Sequence, residues 1–322
     1  MPKRSRWVTV SKLLVATVLL FWLYRIKLID VDSIQDLAKN PWLLISLILI
    51  IWLTFPLCAL RWHMILRSQD ISLSQQEIFR IVYLASFAGL FLPGMVGGDA
   101  IRIVLGNRTS SVGMAVMAMS VAVDRMLGFS GLLAWGVMAS FLLAHAFPEL
   151  NQMRHVAYVT LGLFSIATVL AAALPPLAPA LCRYLAKNGA SKGKVAAALR
   201  AALDRVTVKG IDIFTLLAAW LLSIVIQGKD LLALFLIAEA SGFGNLGLLG
   251  NVMAGTMAFL TQTLSLTPGG LGIGEAVYGQ TANMLISNSP TASYGSIMLV
   301  FRILSVISVL PAIFLFFKRT PH

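Results

Sequence analysis

Leu92-Pro93-Gly94-Met95-Val96-Gly97-Gly98-Asp99-Ala100-Ile101-Arg102 interrupts an apolar chain with a proline, three glycines and two opposite charges. The apolar segment before the break, residues 81–92, is too short to cross a hydrocarbon core of about 30 Å, which takes about 20 residues of helix. The segment after it, to about Gly106, is equally short. Two short apolar pieces around a Pro-Gly break read as a re-entrant hairpin. Irregular backbone at membrane depth survives only where protein or water covers it, because lipid offers its amides no partner.

The same pattern returns near the other end of the chain. Thr267-Pro268-Gly269-Gly270-Leu271-Gly272-Ile273-Gly274-Glu275-Ala276-Val277 shares the Pro-Gly, the glycine cluster, an acid, an alanine and a β-branched residue, with one insertion. It too joins short apolar segments, 252–266 and a second ending near Ile286. Each break is followed by an arginine inside an apolar run. Arg125 stands 26 residues after Asp99, in Val123-Asp124-Arg125-Met126-Leu127. Arg302 stands 27 residues after Glu275, in Val300-Phe301-Arg302-Ile303-Leu304. The shared offset predicts an internal repeat, with a first copy at about 42–147 and a second at about 212–318.

Composition agrees with membrane residence. The 322 residues are 58% hydrophobic and 12% charged, with mean hydropathy +0.86; soluble domains carry about a quarter charged residues. The apolar runs are continuous rather than alternating, which selects helices over a barrel. Full spans are expected at about 7–24, 42–60, 112–147, 156–174, 214–238 and 296–317. The 112–147 run suits one long tilted helix, and Pro175-Pro176 is expected to end the 156–174 span. A polar stretch is expected over 61–80. The fold class is therefore all-α and polytopic: about six full transmembrane helices plus two re-entrant broken-helix hairpins, in one integral-membrane domain, 1–322.

The N-terminal Lys3-Arg4-Ser5-Arg6 and the apolar run behind it resemble a signal peptide without a cleavage site, and read as an uncleaved first span. Formal charge is +12, concentrated in a loop at about 180–211 with Arg183, Lys187, Lys192, Lys194, Arg200, Arg205 and Lys209. Lysine and arginine density places that loop and both termini in the cytoplasm, against anionic membrane lipid. With those termini, the first hairpin enters from the cytoplasm and the second from outside, so the repeat is inverted. Nucleic-acid binding is the weaker reading of the charge. Cys58 and Cys182 make no disulfide framework. His63, His145, His155 and His322 form no zinc motif, and no cofactor is expected. Gly242-Phe243-Gly244-Asn245-Leu246-Gly247 matches GxGxxG but lacks a βα context and reads as a loop.

Paired glycine-broken segments in two inverted halves point to a transporter's central site. Broken helices leave N–H groups and a positive dipole end free for an anion. Arg102, Arg125 and Arg302 add formal charge and suit a phosphate, which arginine grips with two parallel hydrogen bonds. Gly97, Gly98, Gly270 and Gly272 let backbone approach a ligand. Asp99, Asp124 and Glu275 complete the candidate substrate-binding set. Alternatives stay open: Asp99 and Glu275 also suit helix capping, and Arg125 and Lys229 could simply neutralise their neighbours Asp124 and Asp230.

These residues carry a family likeness. Residues 91–102 resemble the LPG-x-x-GGD-x-x-R motif of the lysylphosphatidylglycerol synthase transmembrane region, or flippase-like, family. Asp124-Arg125-Met126-Leu127-Gly128 resembles its DR-x-x-G segment, and residues 267–275 its PGG-x-G-x-x-E motif; Arg61-Trp62, expected in a polar turn, also fits. The likeness covers about residues 10–318. It implies a protein of a bacterial inner membrane or an archaeal membrane that handles lipids; in multidomain synthases this region moves an aminoacylated phospholipid across the bilayer. Two departures stand out. No aminoacyl-transfer domain is expected after residue 318, and Gly274 occupies a place where many relatives carry arginine. The resulting expectation is a translocase for a phospholipid or polyprenyl-phosphate-linked lipid. The alternatives are a membrane enzyme with Asp99 or Asp124 as base, and an accessory subunit of a lipid-modifying system.

Overall fold

Proline opens the first described helix and stands just past its end, in the first turn of the next. The computed structural model describes residues 39–90, 96–110, 112–147, 151–187, 211–263, 272–286 and 294–317. Helix α1, Pro41–Trp52, starts with Pro41 in its first turn and Asn40 capping the Leu43 N–H. Helix α2, Thr54–Ser68, continues from it across Leu53. Pro56 has no N–H for the Trp52 carbonyl, and a missing i→i−4 bond of this kind bends a helix. The two form one candidate span, Pro41–Ser68.

The expected polar stretch at 61–80 is therefore corrected. Arg61 and Trp62 lie buried inside α2, and the chain turns only after Ser68. A buried charge is compatible with a span when partners on other helices meet it; sequence alone does not show those partners. Helix α3, Gln75–Gly89, begins with a capping box. The Ser74 hydroxyl accepts from the Glu77 N–H, and the Glu77 carboxylate accepts from the Ser74 N–H at 2.8 Å. Helix α4, Val96–Ser110, packs beside it. At about 1.5 Å per residue both run about 22 Å, short of a full crossing.

Helix α5 is a single 33-residue helix, Met114–Ala146, as expected for that run. Helix α6, Asn151–Lys187, passes through Pro175-Pro176 rather than stopping there. Proline's fixed φ is itself helical, so the expected stop becomes a local loss of hydrogen bonds. Helix α7, Ile213–Ala240, starts at an Asp212 cap. A short 3-10 turn, Gly244–Leu246, leads into α8, Gly247–Thr263, so the GxGxxG stretch is a loop. Helix α9, Ile273–Leu285, packs antiparallel to α8, with Gly250 beside Leu285 and Gln262 beside Gly274. Helix α10, Gly295–Val309, is continued by a 3-10 turn at Pro311 and by α11, Ile313–Phe317.

No strand occurs among the described residues. Five helical stretches there are long and apolar enough to cross a membrane: Pro41–Ser68, Val116–Ala146, His155–Ala173, Ile213–Ala240 and Gly295–Leu315. They coincide with the expected spans after the first. Large apolar side chains such as Trp42, Tyr158, Phe214 and Phe314 stand exposed on them, a surface suited to hydrocarbon. The expected first span, the Pro-Gly ends of both breaks, most of the basic loop and both termini lie outside the described residues.

Small residues bring the central helices together, the usual device where lipid supplies no hydrophobic drive. A Cβ on Gly131 of α5 would stand 2.9 Å from the backbone carbonyl carbon of Ser223 on α7. Backbone cannot swing aside as a side chain can, so Gly131→Ala is expected to destabilise by about 1–3 kcal/mol. A thermal melt of the detergent-solubilised protein reads this as a lowered Tm.

Candidate functional site

The short helix α4 meets α2 and α5 through charge. Asp99 sits in the first turn of α4. Arg125 of α5 grips it side-on, its Nε 2.8 Å from Oδ2 and its Nη2 2.6 Å from Oδ1. One turn further, Arg102 donates through Nη1 to Asp124 Oδ2 at 2.9 Å. Arg61 of α2 donates through Nε to Asp124 Oδ1 at 2.7 Å and through Nη1 to the Ser223 hydroxyl at 2.9 Å. Asp124, 1% exposed, is thus clamped by two guanidiniums from two helices.

Arg125 therefore does not neutralise Asp124. Consecutive residues on a helix point about 100° apart and do not face one another; Asp124 turns toward α2 and α4, Arg125 toward Asp99. Lys229 and Asp230 do pair at 2.7 Å, because the lysine stem is long enough to curl back. Three guanidiniums against two carboxylates leave one positive charge in excess around α4. Arg102 is 5% exposed, and its Nε and Nη2 are buried without a hydrogen-bond partner among the described residues. The Trp62 ring covers its guanidinium carbon at 4.4 Å, a contact that offsets part of the desolvation.

The second break repeats the arrangement. Glu275, 0% exposed, lies in the first turn of α9 and accepts from the Gly272 N–H at 2.7 Å. Arg302 of α10 donates to its Oε1 at 2.7 Å. With its amide oxygen turned toward Arg302, Gln262 of α8 accepts from the same guanidinium. Both acids thus pair with the arginine that follows them at the shared offset. Glu275 also acts as a cap, so the capping and ion-pair readings hold together. A Cβ on Gly274 would stand 3.4 Å from Arg302 Nη2, at ordinary contact distance, so Gly274 lies directly against the guanidinium.

Between the two constellations lies a cavity of about 220 Å³. Arg61 and Arg125 line it from the first half, Gln262 and Phe301 from the second, and Gln227 and Asp230 from α7. Gly97 and Gly98 lie at the start of α4. Gly98 has a packing role, since a Cβ there would stand 3.1 Å from the Ala85 carbonyl oxygen. Gly272 is placed beside Glu275 with φ 85°, whereas Gly270 lies outside the described residues. Sequence reasoning missed Arg61 as a member, along with Thr54, Gln227 and Gln262. For Arg61 the signal was the apolar Met64-Ile65-Leu66 continuing beyond it.

The sequence profile of the lysylphosphatidylglycerol synthase TM region matches residues 9–312. No curated protein and no solved structure matches the chain.

Proposed function

The chain belongs to the lysylphosphatidylglycerol synthase TM region family, and from that membership we propose that it translocates a phosphate-bearing lipid across the cell membrane. It is an integral, multi-pass membrane protein, and the family ties it to lipid metabolism or translocation. The observation that carries the proposal is the cavity between the two acid–arginine pairs, walled by Arg61 and Arg125 within a cluster of net positive charge. In a low-dielectric interior an uncompensated cation is costly, and an anionic phosphate would supply the missing charge. Asp99 and Glu275 hold Arg125 and Arg302 in place, and Arg102 with Asp124 holds Arg61. The cargo is a phospholipid or a polyprenyl-phosphate-linked lipid.

The same reading covers the topology. Three candidate spans, Val116–Ala146, His155–Ala173 and Ile213–Ala240, separate the two short helix pairs. That odd number supports entry of the pairs from opposite faces, hence an inverted repeat whose halves rock about a central site. The basic loop at 181–211 and both termini face the cytoplasm in this scheme, the loop lying on anionic lipid.

The test is lipid movement in vesicles of phosphatidylcholine and phosphatidylglycerol, with tail-labelled fluorescent phosphatidylglycerol and dithionite quenching of the outer leaflet. Wild-type protein is expected to expose the inner-leaflet label, and Arg125→Gln to slow this by at least about tenfold, the equivalent of about 1.4 kcal/mol. Phosphatidylglycerol should also protect Cys58, a cavity-lining thiol, from a small thiol reagent in a Cys182→Ser background. Absence of lipid movement, or movement indifferent to Arg125, sinks the proposal.

A further inference from the structure

Among the described residues, the ion pair at Asp230 on the cavity wall is built differently from those of Asp99, Asp124 and Glu275. Asp99, Asp124 and Glu275 are all held by guanidiniums, which stay protonated in proteins. Asp230, 8% exposed on the cavity wall, is held instead by Lys229 at 2.7 Å. The Thr54 hydroxyl donates to its Oδ1 at 3.2 Å and lies within hydrogen-bonding distance of Lys229 Nζ. Lysine, unlike arginine, gives up its proton readily when buried. A Lys–Asp pair inside a membrane can therefore exist as two charges, as a neutral amine and acid, or with one added proton. Intramembrane ionisable residues mark functional sites by default, and proton relays are one of their uses.

Its position adds a second observation. Lys229-Asp230 lies in the middle of α7, which runs from Ile213 to Ala240. Its hydroxyl partner Thr54 is the first residue of α2, at the Leu53 joint where Pro56 withholds a backbone bond. The groups around Asp230 can be named element by element. Its own helix brings Lys229; α2 brings Cys58 and Arg61; α5 brings Arg125. The Glu275–Arg302 pair of α9 and α10 stands behind Gln262 and Phe301. Helices α1 and α8 contain no titratable residue.

From this geometry we infer that Asp230, with Lys229, is a proton-binding site that couples lipid movement to a proton gradient; the inference rests on the translocase reading above. In each cycle one proton from the aqueous phase adds to the Asp230 carboxylate, giving a carboxylic acid beside the Lys229 ammonium. The neutral pair becomes singly positive, and the cavity gains a second excess positive charge. That favours the phosphate monoanion, and by reciprocity the bound phosphate favours the proton. The acid no longer accepts as strongly from Thr54, which loosens the α1–α2 joint. When the cavity opens to the other side, proton and lipid leave together and the carboxylate is restored. Charge balances, since one proton and one anionic headgroup cross as a neutral sum.

The experiment uses the full chain in the same vesicles, with a pH difference of one unit imposed and the membrane potential clamped by valinomycin and potassium. Wild-type protein is expected to enrich labelled phosphatidylglycerol in the leaflet facing the alkaline side, approaching about tenfold for one proton per lipid. The readout for variants is the ratio of leaflet distributions with and without the gradient, which does not depend on their absolute rate. Asp230→Asn is expected to bring that ratio to one. Pyranine trapped inside should report proton entry with wild-type protein and none with Asp230→Asn. Lipid movement that ignores the gradient in wild type, or a gradient response kept by Asp230→Asn, overturns the coupling and leaves the translocase reading standing. No lipid movement by wild type overturns both.

Discussion

Asp124→Asn is expected to destabilise the detergent-solubilised protein by about 3–5 kcal/mol, the usual cost of leaving buried charge without its counter-ion. In a thermal melt that is a drop of roughly 4–7 °C for a chain of this size. The reason is the double clamp: Arg61 and Arg102 both donate to this carboxylate, and both guanidiniums are buried. An asparagine oxygen accepts one of those bonds but neutralises neither charge. The same chemical change at Asp212, an exposed helix cap, is expected to shift the melt little, since asparagine caps as well as aspartate. Combining Asp124→Asn with Arg102→Gln removes one stranded cation and should recover part of the loss. A melt of Asp124→Asn indistinguishable from that of Asp212→Asn would show that the clamp contributes nothing to stability.

The second large effect belongs to the other half. Arg302→Ala strands Glu275, fully buried, with the Gly272 N–H as its remaining hydrogen bond among the described residues. The expected cost is again about 3–5 kcal/mol, accompanied by loss of lipid movement. Stability and transport can be separated here. Replacing both partners, Arg302→Leu with Glu275→Leu, removes the whole pair, and apolar replacements of a buried pair are often neutral or stabilising. The double variant is therefore expected to melt near the wild-type temperature yet still fail to move labelled phosphatidylglycerol. Recovery of both properties would reduce the pair to a structural tie and remove the second half from the proposed site.

Buried ion pairs are weak evidence for stability, and inside a membrane an ionisable residue is a functional candidate by default. An apolar core would serve the fold as well or better. A chain that keeps three arginines and two acids around one short helix, with Arg102 donors left over, holds a charge excess that hydrophobic packing does not require.

How much of this was legible beforehand differs by element. Membrane residence, the all-helical class and the spans after the first follow from hydropathy, because each span must satisfy its own backbone within one contiguous stretch. The shared offset from acid to arginine was also readable, and Asp99–Arg125 and Glu275–Arg302 do meet. Inferences from sequence neighbours held for Lys229-Asp230 and failed elsewhere. Asp124-Arg125 are adjacent in the chain yet serve different partners, Arg61 lies within α2 rather than in a turn, and Pro175-Pro176 lie inside α6 rather than ending it. In each case the deciding atoms came from another helix or from a backbone geometry that composition leaves open. The amino-acid order sufficed for which segments enter the bilayer, since that is a local contest between apolar side chains and water. Only the packed helices decided who neutralises whom, and where a cavity remains, because electrostatic partnership depends on distances across helices, between residues 22 to 63 apart in the chain.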